Sequence, residues 1–256
     1  MPLKGGCVDC VVTSPPYFGG VRDYGHSAQI GLERQPRDYV AALVSVGHEL
    51  RRVLRPDGAW WLNLGDVYAA SGKGGGGIRG RRTKSWASIR DRKGFRMPPS
   101  GFKQKDITLT PYRVADALLA DGWYLRSVIV WGKPVATEPP RLDRPSSSHE
   151  YLFLLTAGKD SRVRNPGEPW WCSTVWIIPP DASDVHQATM PRELARRCIV
   201  ATGGPNDLVL DPFMGSGTVG VVAERCGRRW VGADLGYHEL SKSITAQRGI
   251  RFGAAS

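Results

Sequence analysis

Asp207-Leu208-Val209-Leu210-Asp211-Pro212-Phe213-Met214-Gly215-Ser216-Gly217-Thr218-Val219-Gly220 is the stretch that decides the fold. Its first five residues have a strand pattern, and the residues after Gly217 open a helix. Gly215, Gly217 and Gly220 fit G-x-G-x-x-G in the strand-to-helix setting that lets a backbone approach a nucleoside ligand closely. A second strand pattern, Trp230-Val231-Gly232-Ala233-Asp234, ends 19 residues past Gly215 in a carboxylate able to hold ribose hydroxyls. Only 22 residues follow Asp234, too few for the rest of a doubly wound sheet. The other strands must come from earlier in the chain, which makes the nucleoside-binding half C-terminal.

Near the other end, the buried-strand pattern Val8-Asp9-Cys10-Val11-Val12 runs into Thr13-Ser14-Pro15-Pro16-Tyr17. Two prolines end the strand and hold the backbone in a stiff extended corner. That corner offers the Ser14 hydroxyl, proline carbonyls and the flat ring of Tyr17. It suits a planar, amino-bearing ring, held by stacking and by hydrogen bonds from its NH2 group. A proline-rich surface turn is the plain alternative.

Taken together, the two stretches resemble the β-group of amino DNA methyltransferases: Thr-Ser-Pro-Pro-Tyr comes early and Asp-Pro-Phe-x-Gly-Ser-Gly-Thr late. The likeness extends through Arg55-Pro56-Asp57-Gly58, Asn63-Leu64-Gly65-Asp66, Asp121–Arg126, Trp131-Gly132-Lys133-Pro134, Asp143-Arg144-Pro145, His149-Glu150-Tyr151 and Met190-Pro191-x-Glu193-Leu194. It implies a circularly permuted Rossmann-like methyltransferase fold, α/β, with a mostly parallel seven-stranded sheet and helices on both faces. It also implies S-adenosylmethionine as cofactor, held by Asp211, Phe213, Gly215, Ser216, Gly217, Thr218 and Asp234, with Asp211 and Thr218 orienting the amino acid moiety. Ser14, Pro15, Pro16 and Tyr17 become the catalytic set. Tyr17 would stack on a base flipped out of double-stranded DNA, while Ser14 Oγ and the Pro15 carbonyl accept from its amino group. Transfer is then a direct displacement needing no protein nucleophile. Ser before Pro-Pro-Tyr points within the family to cytosine N4, where Asp or Asn accompanies adenine N6. Other classes compatible with the residues are a nicotinamide oxidoreductase, which the chain order disfavours, and a DNA-binding protein without catalysis.

Composition agrees with a nucleic-acid partner. The 256 residues are 41% hydrophobic with nine tryptophans, so a single globular domain over 1–256 is expected, with a net charge of +11. Residues 67–107 hold eleven basic residues against Asp91 and Asp106, a net +9, with glycines and interleaved aromatics. Such an insertion is either a solvated loop or a DNA-contacting arm, with Arg79, Arg81, Arg82 and Lys84 at its centre and Lys133 and Arg144 as further phosphate contacts. Residues 157–186 read as irregular and as room for a short target-recognition region. No apolar run suits a membrane span and no signal pattern opens the chain, so a prokaryotic or phage-encoded protein of the cytoplasm is expected. Five cysteines, odd in number and without zinc spacing, are expected reduced and mostly buried, with no metal site. A cognate restriction endonuclease is a natural partner of such an enzyme; monomer and homodimer stay equally open.

The strand count leaves a gap. Six candidates are visible, at 8–12, 59–64, 125–131, 150–156, 207–211 and 229–234. The resemblance puts a seventh just upstream of Val8, where Met1–Cys7 leave no room. Either Arg251-Phe252 fills that edge, or this sequence begins downstream of the natural start; with the strand missing, the edge beside Val231 would be unpaired.

Overall fold

The computed structural model describes residues 3–19, 29–69, 101–134, 142–181 and 190–234. Its strands are β1 (Val8–Thr13), β2 (Leu54–Leu64), β3 (Tyr124–Gly132), β4 (His149–Thr156), β5 (Val175–Ile177), β6 (Leu208–Asp211) and β7 (Arg229–Gly232). They form one sheet in the order β5-β3-β4-β2-β1-β6-β7. Strand β4 pairs antiparallel with both neighbours, whereas β1 pairs parallel with β2 and β6, β6 with β7, and β3 with β5. The result is a mostly parallel, Rossmann-like α/β sheet with one reversed strand, the arrangement that the resemblance implies. Every strand but β4 delivers its carboxyl end to the same edge, and β4 delivers its amino end there.

All six residues of β1 are buried, as a central parallel strand covered on both faces requires. Helices α1 (Pro36–Val53) and α2 (Thr110–Ala120) cover one face. Leu43, Leu50, Trp60, Leu118 and Phe153 pack there with Val8 and Val11. Helices α3 (Arg192–Ala201) and α4 (Thr218–Arg225) lie over the other, where Leu194, Cys198 and Val222 meet Cys10, Val12 and Trp61. The chain moves outward from β1 to β2 on one side and from β6 to β7 on the other. The switch point between β1 and β6 is where open α/β sheets gather ligands.

The seventh strand is found at the edge opposite the expected one. Val175–Ile177 extends β3 from within the stretch read as irregular, which also contains the 3-10 turn Pro169–Cys172. Three residues with exposed Val175 and Ile177 give no alternation long enough to recognise. Among the described residues no strand pairs with the outer side of β7, and Arg251-Phe252 falls outside them. At the start of α2, Thr110 has the side-chain chemistry of an N-cap, but Leu109 occupies that position at φ 52°. The work of a cap falls to Asp66, whose Oδ1 accepts from Thr108 Oγ1 at 2.7 Å and from the Thr110 amide at 3.3 Å. The described helices include none long and apolar enough to cross a membrane.

At the amino edge, charge fastens the sheet. Asp9 sits buried in β1, accepting from the Leu208 amide at 2.7 Å. Arg162 Nη1 reaches both Asp9 and, at 3.0 Å, Asp207, while its Nε lies 3.4 Å from Asp57. Asp57 reaches it because Arg55–Gly58 loops out of register between Leu54 and Ala59. Arg55 Nε also lies 3.5 Å from Asp9 Oδ1, but its side chain is half-exposed. Removing Arg162 therefore leaves the buried carboxylate with only the weaker of its two counter-charges, at a cost of up to about 3 kcal/mol. Arg162→Ala should lower unfolding free energy by that amount in urea denaturation, and adding Asp9→Asn should recover part of the loss.

Candidate active site

The Thr-Ser-Pro-Pro-Tyr corner leaves the carboxyl end of β1 and is pinned from two sides. Tyr39, buried on α1, donates its hydroxyl to the Pro16 carbonyl at 3.0 Å. Thr13 Oγ1 donates to Asp211 Oδ1 at 2.8 Å, bonding the last residue of β1 to the last residue of β6. Pro15 is buried, while Ser14, Pro16 and Tyr17 are half-buried at the rim.

Tyr17 turns its hydroxyl into a polar cluster. The hydroxyl donates to Glu150 Oε2, accepts from Asn63 Nδ2 at 2.8 Å, and lies 3.3 Å from Ser14 Oγ. Asn63 Nδ2 also approaches Glu150 Oε2 at 2.8 Å and Ser14 Oγ at 3.3 Å. Gly65 makes room for the ring: a Cβ there would stand 2.6 Å from Tyr17 Cε2. Burial, and after it the neighbouring Glu150 carboxylate, raise the Tyr17 phenol well above the usual tyrosine range, so it is a fixed donor. Lys133, expected at DNA phosphates, instead directs Nζ to Glu150 Oε1 at 2.6 Å and lies 4.8 Å from the Trp131 ring centroid. Arg144 stands 4.0 Å over the Tyr68 ring and bonds Asp143 at 3.0 Å. Arg79, Arg81, Arg82 and Lys84 lie outside the described residues.

Across the switch point, Gly215 (φ 50°) and Gly217 (φ 85°) occupy the left-handed region that glycine tolerates and side chains do not. Met214 donates its amide to the Ala233 carbonyl at 2.9 Å, and Gly217 to the Met214 carbonyl at 2.8 Å, which curls the turn over the end of β7. Asp234 Oδ2 accepts from the Gly215 amide at 2.8 Å. Ser216 Oγ and Thr218 Oγ1 lie 3.4 Å apart at the start of α4, and Phe213 is half-buried beside them. A Cβ on Gly217 would meet nothing within 4 Å, so the turn leaves room beside its backbone. With Asp211 at the end of β6, Thr218 at the start of α4 and Asp234 just past β7, the donor and acceptor set around the turn is of the kind that suits a cationic amino acid attached to a nucleoside.

Asn63 and Glu150 belong to this site, although the sequence marked them only as parts of family motifs. Asn63 is 1% exposed, a polar residue in the apolar run Ala59–Leu64, and its Oδ1 has no partner. A polar residue buried mid-strand was the available signal. Glu150 had none, because its position depends on β4 running backwards.

The comparisons agree with this geometry. A family model described as DNA methylase, covering the N6 and N4 amino enzymes, matches residues 8–244. The chain belongs to that family. This methyltransferase is 42% identical over 260 residues to the Type II methyltransferase M.SmaI of Serratia marcescens, covering 95% of this chain and 84% of that protein. It is 41% identical to M.Cfr9I of Citrobacter freundii, covering 99% and 87%. Of solved structures, the PvuII DNA methyltransferase (cytosine-N4-specific) superposes with a TM-score of 0.69 at 20% identity, covering 94% of this chain and 80% of that one. A putative DNA modification methylase of Thermus thermophilus, complexed with S-adenosyl-L-methionine, gives 0.64 at 24% identity, covering 96% and 88%. The nicotinamide oxidoreductase alternative falls with the family assignment.

Asp211 yields a pH prediction for the methyltransferase. Burial pushes its carboxyl up to about 7; the Thr13 and Phe213 hydrogen bonds pull the other way, and Asp234 adds a smaller upward push. Its folded pKa thus lies above the ordinary value of 3.8, so the folded state holds the proton longer than the unfolded chain. The associated stability is complete below pH 4 and is lost as pH rises through about 7, a total on the order of 4 kcal/mol. Asp211→Asn keeps an oxygen for both donors, since Thr13 and the Phe213 amide both bond Oδ1. Its unfolding free energy, measured in urea between pH 4 and 8, should lack this decline.

Proposed function

We propose that this methyltransferase moves a methyl group from S-adenosylmethionine to the exocyclic N4 of a cytosine flipped out of double-stranded DNA. The observation that carries this reading is Ser14: a neutral hydroxyl, not a carboxylate, stands before Pro-Pro-Tyr at the mouth of the polar cluster. The description of the PvuII enzyme as cytosine-N4-specific supports it. A paired base hides its amino group within the stack, so the base must leave the duplex to reach the corner. When bound, S-adenosylmethionine supplies an electrophilic methyl carbon.

The chain's own residues do the positioning. Asp211, Thr218 and Asp234 hold the two ends of the cofactor, and the glycine turn lets its middle lie against backbone. The Tyr17 ring stacks on the base. Ser14 Oγ and the Pro15 carbonyl accept from the amino group and fix its hydrogens in the ring plane, so that the nitrogen's remaining density faces the methyl carbon. Orientation of this kind provides much of the rate of a bimolecular displacement. Because the relatives are Type II methyltransferases, protection of a site from a cognate restriction endonuclease is the corresponding role. The basic segment 67–107 is assigned to the DNA backbone.

Nucleoside digestion of methylated DNA followed by mass spectrometry should give N4-methylcytosine; N6-methyladenine alone would reassign the target. Ser14→Ala should slow single-turnover transfer roughly 10- to 100-fold, or about 1–3 kcal/mol, while leaving cofactor affinity intact. For the basic segment, each phosphate contact removed should flatten log K against log salt by about 0.9. The quadruple alanine variant of Arg79, Arg81, Arg82 and Lys84 is the test, and an unchanged slope would make the segment a solvated insertion.

A further inference from the structure

An amine that has just accepted a methyl group carries a positive charge and one hydrogen too many, and the neutral product forms only when an N–H bond breaks. Ser14 Oγ, the acceptor nearest that hydrogen, is a poor base. Asp211 is committed to Thr13 and the Phe213 amide. Behind Ser14, however, stands a continuous polar path. Ser14 Oγ lies 3.3 Å from Tyr17 Oη, and Tyr17 Oη donates to Glu150 Oε2. Catalytic hydrogen bonds are commonly long before substrate arrives, so the first link is within reach.

The direction of the path is set by its members. Glu150 is a pure acceptor. Asn63 Nδ2 donates to Tyr17 Oη, which leaves the phenol's single hydrogen for the carboxylate. The opposite oxygen of Glu150 takes Lys133 Nζ, and the Lys133 and Glu150 side chains are only 11% and 13% exposed. An ion pair so shielded from solvent is screened far less than one at the surface. The groups facing Glu150 are thus Lys133 from the end of β3, Tyr17 from the corner after β1, and neutral Asn63 on β2. Its neighbours on β4, His149 and Tyr151, are occupied with each other, His149 Nε2 lying 3.1 Å from Tyr151 Oη.

We propose that Ser14, Tyr17 and Glu150 form a relay that removes the amine proton during methyl transfer. The inference rests on the amino-methyltransferase reading above. The N–H bond breaks and its electron pair stays on nitrogen. That proton joins Ser14 Oγ as the serine's own passes to Tyr17 Oη, and the phenol's passes to Glu150 Oε2. Ser14 and Tyr17 end as they began; the positive charge on nitrogen and the negative charge on Glu150 disappear together. Lys133 then faces a neutral acid, which favours return of the proton to water as product leaves. Glu150 acts through its neighbours and is a positioning residue and proton sink, not a contact of the base.

Single-turnover methylation of a cytosine-containing duplex, at saturating S-adenosylmethionine and in parallel in H2O and D2O, tests the relay. The natural chain should be slower in D2O, because protons move along the path during transfer. Glu150→Gln should lower the rate on the order of 100-fold and abolish the solvent isotope effect. Tyr17→Phe, which keeps the ring and cuts the path, should do the same. Lys133→Met leaves the acceptor in place and should keep the isotope effect. A second readout needs no turnover: with 13Cζ-labelled tyrosine, the Tyr17 resonance (identified by its absence in Tyr17→Phe) should shift in Glu150→Gln. Calorimetry should find cofactor affinity within about threefold of the natural chain in each variant, since none of these residues faces the glycine turn. A Glu150→Gln rate and isotope effect like the natural chain's would overturn the relay alone. So would an undiminished isotope effect in Glu150→Gln and Tyr17→Phe with only their rates reduced, the mark of a merely structural network. If the natural chain methylated no amino base at all, the relay and the reading beneath it would fall together.

Discussion

A single hydrogen bond, from Thr13 Oγ1 to Asp211 Oδ1, joins the two halves of this protein at the point where they must cooperate. Thr13 ends the strand that leads into Ser-Pro-Pro-Tyr, and Asp211 ends the strand that leads into the glycine turn. Their backbones run parallel, Cys10 beside Val209 and Val11 beside Leu210. The Ser-Pro-Pro-Tyr corner and the glycine turn are therefore held by one rigid unit, not by loops that must find each other. The bond is buried, so its loss would strand polar atoms away from water, a larger cost than the net value of the bond itself. On the outer side the corner is held by Tyr39, which fixes Pro16 from a helix packed on one face of the sheet.

The carboxyl edge owes its chemistry to the reversed strand. If β4 ran with its neighbours, its amino end would lie at the far edge, and Glu150 would face the Arg162 clasp. Reversal brings a carboxylate beside Asn63 and Lys133 without any loop of its own. The two edges have accordingly different duties. At one, Arg162 bridges Asp9, Asp57 and Asp207, with Arg55 beside the first two, in a purely mechanical fastening. At the other, unequal numbers of donors and acceptors remain, and Asn63 Oδ1 is an acceptor left over.

What could be read directly from the amino acids was local. The β6-turn-α4 unit was legible because only glycine sits comfortably at Gly215 and Gly217, and the early corner because two adjacent prolines leave few conformations. Buried β1 was legible from its β-branched run. What escaped depended on partners far along the chain. Asp66 caps a helix that begins 44 residues later. Lys133 read as a phosphate contact until β3 and β4 were paired with Trp131 opposite Glu150. The short β5 has no pattern of its own and exists because Val130–Gly132 offers it an edge. Pairing across such distances leaves no trace in local periodicity, which is also why the seventh strand was sought at the wrong side of the sheet.

The separation of β1 from β6 also governs how the molecule comes into being. Val11 leaves the ribosome nearly two hundred residues before Leu210, its partner in the centre of the sheet. At ~5–20 residues per second, translation alone holds that partner back for ~10–40 s. During this interval the fully buried strand of the sheet can pair with β2 on one side while the other stays open. A strand with an unpaired, β-branched edge is a template for other chains. The arrangement that makes the carboxyl edge rigid therefore gives the nascent chain a long period of exposure, and β1 gains its second neighbour only when β6 emerges nearly two hundred residues later.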